Sequence, residues 1–147
     1  MKMSTRTRYG TRALLELALR KDDAPVFLKD IAREQGISLA YLEQLMAPLV
    51  GGGIVRSTKG PKGGISLARK PEDIDMAEVT ALLEGTLGPV ECVGNPEVCE
   101  RAGACATHDI WSGLGDVMQR YLKSVTLKEL AERQESLKGA HEDMYFI

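Results

Sequence analysis

Apolar residues recur every three or four positions over residues 7–21, TRYGTRALLELALRK, placing Tyr9, Ala13, Leu14, Leu17 and Ala18 on one face. That period predicts an amphipathic first helix. LKDIAREQG, residues 28–36, repeats the pattern with Leu28, Ile31 and Ala32, and closes at Gly36, which tolerates the backbone conformation that ends helices. A third helix is predicted from Ser38, whose hydroxyl can cap the free N–H groups of the first turn; Leu42, Leu45, Met46 and Leu49 form its buried side. Ala40, Tyr41, Glu43, Gln44 and Ala47 occupy the other side, and Gly51-Gly52-Gly53 stops the helix.

The period then changes. IVRST (54–58) and ISLAR (65–69) are short β-prone runs flanking KGPKGG (59–64), so the chain is expected to reverse in a hairpin with Lys59 and Lys62 at its tip and Arg56 on the approach. Two helices around a tight turn, followed by a basic-tipped hairpin, spell a winged helix, with the third helix in the major groove and the wing on flanking phosphates. The set expected to face DNA is Ser38, Ala40, Tyr41, Glu43, Gln44, Arg56, Lys59 and Lys62.

Asp75 and Glu78 form a capping box, and Ile74 with Val79 a hydrophobic staple, so a fourth helix should run to about Glu84. Further on, THDIWSGLGDVMQRYLKSV (107–125) carries two apolar stripes: Ile110, Leu114, Val117, Tyr121 and Trp111, Met118, Leu122, Val125. A face so wide exceeds what one small domain needs and predicts burial against a second copy, through Ile110, Leu114, Val117, Met118, Tyr121, Leu122 and Val125. Thr126 and Glu129 open a last short helix to about Leu137. The fold class is therefore mainly α with a small β-hairpin wing. Residues 1–84 are the winged helix-turn-helix, 85–108 a cysteine-rich loop, 109–125 a dimerisation helix and 126–147 a C-terminal helix and tail.

Charge sharpens this division. The formal net charge of the 147 residues is −2, yet residues 1–70 hold 13 Lys/Arg against 6 Asp/Glu, and residues 71–147 hold 6 against 15. A basic half suits a polyanion, whose displaced counterions drive binding. No apolar run approaches membrane-spanning length, and Arg12 and Glu16 interrupt the only stretch resembling a signal peptide, so a cytoplasmic protein with no membrane partner is expected. No Gly-rich phosphate loop or Cys-x-x-Cys pair supports an enzyme.

All three cysteines lie in CVGNPEVCERAGACATHD (92–109), spaced C-x6-C-x5-C-x2-H. An odd count argues against a disulfide framework. Three thiolates and an imidazole, Cys92, Cys99, Cys105 and His108, suit an iron–sulfur cluster or zinc. From spacing alone three readings stand: a cluster of 2Fe–2S or 4Fe–4S type, a structural zinc site with three cysteines and one histidine, or redox-active thiols in a protein with no DNA role.

The stretches STRTRYGTRALLELAL, DIAREQGISLAYLEQLMAPLVGGGIV and STKGPKGGISLARKPEDI, with the spaced cysteines and HDIW, together resemble the Rrf-two family of bacterial regulators, within it the iron–sulfur regulators of the IscR type. The resemblance implies a homodimeric winged-helix transcription factor, repressor or activator, binding promoter operators. It also implies a 2Fe–2S cluster on Cys92, Cys99, Cys105 and His108, and base or phosphate contacts from Ala40, Tyr41, Glu43, Gln44 and Lys59. This chain departs from the pattern in places. The first cysteine gap is one residue longer, and Ala40 and Lys59 replace serine and arginine; lysine lacks the two-pronged fork that reads guanine. Arg8 stands where nitric-oxide-sensing relatives carry an acidic 4Fe–4S ligand.

Overall fold

The computed structural model describes residues 3–22 and 24–143; the terminal residues 144–147 of the expected tail lie outside the described residues. Helix α1 (Thr5–Ala18) starts two residues earlier than its period suggests, because the Ser4 hydroxyl accepts a hydrogen bond from the Thr7 N–H at 3.3 Å. Helix α2 (Leu28–Gln35) ends at Gly36 with φ 65°, and α3 (Leu39–Gly51) starts under Ser38, which accepts from the Tyr41 N–H at 3.2 Å. Strands β1 (Val55–Thr58) and β2 (Gly64–Leu67) pair antiparallel in the register Arg56 to Ser66 and Ser57 to Ile65.

Helix α4 (Met76–Glu84) begins at Asp75, whose carboxylate accepts from the Glu78 N–H at 2.9 Å. A short α5 (Glu91–Gly94) and two 3-10 turns lead to the long α6 (Ala106–Ser124) and α7 (Leu127–Asp143). The last helix runs beyond the expected end near Leu137. No helix among the described residues is long and apolar enough to cross a membrane.

One core holds the winged unit together: Leu14 and Leu17 of α1, Ile31 of α2, Leu42, Leu45 and Leu49 of α3, Ile54, Val55 and Ile65 of the hairpin, and Val79 and Leu83 of α4. The chain returns to this core far downstream. Asp75 and Thr126 form an antiparallel bridge in which the Met76 N–H donates to the Val125 carbonyl and the Leu127 N–H to the Ile74 carbonyl, both at 2.9 Å. Leu127 is fully buried there and Val125 is 6% exposed. This corrects one expectation: Val125 does not belong to an exposed stripe, because the strand-like pairing turns it into its own chain's core. The segment after α6 is thus stitched to the winged unit.

Val26 adds a third short segment to the hairpin, exchanging 2.8 Å hydrogen bonds in both directions with Ile65. Gly64, with φ 149°, lets the backbones meet, since a Cβ there would drive into the Val26 carbonyl, which cannot retreat without losing that pairing. Gly64→Ala is expected to cost about 2–3 kcal/mol of unfolding free energy by urea titration, the usual scale of backbone strain added to a clash.

Candidate nucleic-acid interface and cysteine loop

Capping by Ser38 fixes where α3 starts and therefore which residues face outward. Ala40, Glu43 and Gln44 are exposed on that face, and among the described residues Glu43 makes no ion pair. Tyr41 is only half exposed. Its ring meets Tyr9 of α1 edge-on, centroids 6.3 Å apart at 83°, with the Arg12 guanidinium 5.9 Å from the Tyr9 ring. Tyr41 thus packs α3 onto α1, in addition to any outward role. At the wing, Gly60 (φ 105°) and a 2.9 Å hydrogen bond from the Gly63 N–H to the Gly60 carbonyl close the turn, leaving Lys59 and Lys62 exposed at the tip.

Wing and recognition helix enclose a crevice of about 350 Å³, lined by Leu39, Glu43, Ser57 and Thr58 together with Phe27 and Lys29. The last two escaped the sequence reading. Phe27 is 42% exposed, and the Lys29 ammonium sits 5.1 Å from its ring. An aromatic residue just ahead of a basic helix start was the available signal. Arg56 is not part of this crevice. It lies instead on the hollow at the other side of the hairpin, beside its cross-strand partner Ser66.

Glu84, the last residue of α4, accepts a hydrogen bond from the Ser4 N–H at 2.6 Å, and Gly85 (φ 83°) turns the chain into the cysteine segment. Burial pushes the Glu84 carboxyl up, but hydrogen bonds from Ser4 and Thr7 together with the charge of Arg6 outweigh it and hold the group below the usual carboxylate range. The root of the loop is thereby tied to the start of α1.

Within the segment, Cys92 lies on α5, Cys99 follows the first 3-10 turn, Cys105 is the residue capping α6, and His108 sits in the first turn of α6. All three cysteines are free thiols and half-exposed. The His108 ring and the Cys92 carbonyl are 3.1 Å apart, which brings the two ends of the loop together through Nε2. Pro89 and Val93 lie against α6 at Gly115, at a distance where even a Cβ would make ordinary van der Waals contact. Cys105 Sγ is 3.1 Å from the Thr107 hydroxyl; that contact, with the His108 N–H, holds the Cys105 thiol below its ordinary value. The donor set suits a soft metal centre. Among the described residues, however, no three His, Cys, Asp or Glu side chains already converge on one point. The structure therefore gathers the donors onto one loop without preforming a cage.

Along α6 neither expected stripe behaves as a unit. Leu114, Met118 and Leu122 are half-buried, Leu122 against the core, whereas Ile110, Trp111, Val117 and Tyr121 are 65%, 41%, 52% and 62% exposed.

The family model described as Rrf2, iron-dependent transcriptional regulator, matches residues 3–133. The chain belongs to the Rrf2 family. It is 45% identical over 130 residues to protein rrf2 of Nitratidesulfovibrio vulgaris, covering 88% of this chain and 87% of that protein. To the transcriptional regulator IscR of Photorhabdus laumondii it is 39% identical over 140 residues, 95% of this chain and 85% of the relative. Among solved structures, IscR of T. potens superposes with a TM-score of 0.76 at 34% identity, covering 93% of this chain and 90% of that one. CymR, the global cysteine regulator of B. subtilis, superposes at 0.74 and 35% identity, covering 90% and 98%. This Rrf2 chain is accordingly a DNA-binding winged-helix transcriptional regulator, and its family's role is regulation of transcription, not catalysis.

Proposed function

We propose that this regulator acts in the cytoplasm as a homodimer whose promoter occupancy is set by a 2Fe–2S cluster held by Cys92, Cys99, Cys105 and His108. The carrying observation is that three free cysteines and His108 share one loop whose end caps α6 and whose root leans on α1. The family's iron-dependent description supports the same reading. When bound, the cluster supplies an oxidisable cross-link between the thiolates. With Cys105 and His108 engaged, the first turn of α6 is held in one position, and the angle at which two winged units meet DNA is held with it. Purification without air, followed by visible absorption and iron, sulfide and zinc analysis, tests the proposal. Brown protein with about two iron and two sulfide per chain supports it; colourless protein with one zinc per chain rejects it in favour of a structural zinc site.

On the DNA side, Glu43 is the discriminator. A carboxylate facing a groove is repelled by phosphates and tolerated where a cytosine amino group donates to it. Glu43→Ala is expected to relax selection at one base position by about 1–3 kcal/mol, read from binding to a set of single-base operator variants. Lys59→Ala is expected to weaken all sequences alike and to lower the slope of log affinity against log salt by about 1.

A further inference from the structure

A unit with its recognition helix in the major groove and its hairpin tip on the flanking groove must straddle one sugar-phosphate strand. That strand passes over the space between α3 and the wing. The crevice of about 350 Å³ lies there, between Leu39 and Glu43 of α3 and Ser57 and Thr58 of the wing. Its third side comes from the start of α2, through Phe27 and Lys29. Phe27 stands at the N-terminal end of α2 without supplying a capping hydrogen bond, and it is 42% exposed, as is Leu39. An exposed aromatic ring forgoes the gain of burial, so neither the helix start nor the core accounts for this residue. The Lys29 ammonium lies 5.1 Å from the ring centroid and makes no ion pair among the described residues.

Among the described residues that line the crevice, Lys29 is the one cation and Glu43 the one anion. An ammonium on a four-carbon stem samples many rotamers in water and loses them when it binds. Here the face of the Phe27 ring attracts the ammonium and narrows that spread before any ligand arrives. Leu39 offers apolar surface to a deoxyribose, and the Ser57 and Thr58 hydroxyls can donate to phosphate oxygens. We infer that this crevice seats one DNA strand by its backbone, with Lys29 neutralising a phosphate and Phe27 holding Lys29 ready for it. Phe27 is thus a positioning residue that acts through Lys29. The same cation offsets the repulsion between Glu43 and the neighbouring phosphates. The inference rests on the reading that α3 and the wing face DNA, and it is independent of the cysteine loop.

A duplex selected from random sequence by the full chain is the probe, and uncharged methylphosphonates replace its phosphates one at a time. At one phosphate the neutral link is expected to weaken the wild type about five- to tenfold and Lys29→Gln no further. On the unmodified duplex Lys29→Gln should lose the same factor and lower the slope of log affinity against log salt by about 1. Phe27→Leu, apolar but without a ring, should lose about threefold alone and nothing in the Lys29→Gln background. Lys128→Gln removes an equal charge from an exposed position on α7 and should leave binding unchanged. If Lys29→Gln responds to every neutral link as the wild type does while Lys59→Ala weakens binding, the strand seat is overturned and the DNA face stands. If Lys59→Ala and Glu43→Ala are also without effect, both fall. Additive losses for Phe27→Leu and Lys29→Gln would overturn the positioning role of the ring.

Discussion

Cys99→Ala protein prepared without air is expected to be colourless, with iron and sulfide below about a tenth of the wild-type content. Three thiolates and one imidazole leave no spare donor, so loss of one thiolate removes a full ligand from a four-ligand centre. The winged unit should survive, because no residue of the segment from Glu91 to Cys105 is buried and the core is built elsewhere. Near-native thermal unfolding of the variant is therefore part of the expected result, and it separates loss of cofactor from loss of fold. Operator occupancy should change only at promoters whose binding differs between iron-loaded and stripped wild type. Iron retained at wild-type level in Cys99→Ala would show that Cys99 is not a ligand. A colour loss accompanied by collapse of the winged unit would show instead that the loop is needed for folding.

Much of this architecture was legible because it is written locally. Ser38, Asp75 and Thr126 each accept a hydrogen bond from the N–H three residues on, at 3.2, 2.9 and 3.2 Å, so helix starts follow from short-range chemistry alone. The wing followed from the change of period and the glycines at its turn. What stayed hidden depends on pairings between distant segments. Val125 continues the helical period of Trp111, Met118 and Leu122, and only its partnership with Met76, 49 positions earlier, buries it. Arg56 is basic and close to the wing tip, but its face is decided by the register Ser57 to Ile65, which sequence spacing leaves open. The cysteine segment shows the same limit in another form. Donor identity could be read, whereas the mutual positions of the side chains depend on turns with no buried residue to anchor them. Glu84 illustrates how such a loop nevertheless reaches the DNA-binding unit. Its hydrogen bond to the Ser4 N–H spans 80 positions, and no periodicity announces it.

Val117→Glu is expected to convert the protein to a monomer at micromolar concentration, measured by sedimentation, and to lower operator affinity by about two orders of magnitude or more. With 3.6 residues per turn, Ile110, Leu114, Val117 and Tyr121 cluster on one side of α6, while Leu122 packs against the chain's own core. The 19 residues of α6 include none that is buried; Ile110 and Val117 leave apolar surface that their own chain does not cover, while the Tyr121 side chain reaches Arg133 of α7. Burying Ile110, Val117 and Tyr121 against a second copy contributes roughly 1.5–3 kcal/mol for each side chain. A glutamate at the middle of that stripe places a charge in both copies at once, and an unpaired buried charge costs several kcal/mol. Since each copy carries one recognition helix, the separated chains lose the gain from binding two half-sites together, a factor of 10² to 10⁴. Lys123→Gln, on the opposite side of the same helix and exposed, is the control: it lowers the charge by the same single unit and should leave the assembly intact. If Val117→Glu remains a dimer with unchanged affinity, the copies meet elsewhere, and the outer stripe of α6 must be assigned to a different partner.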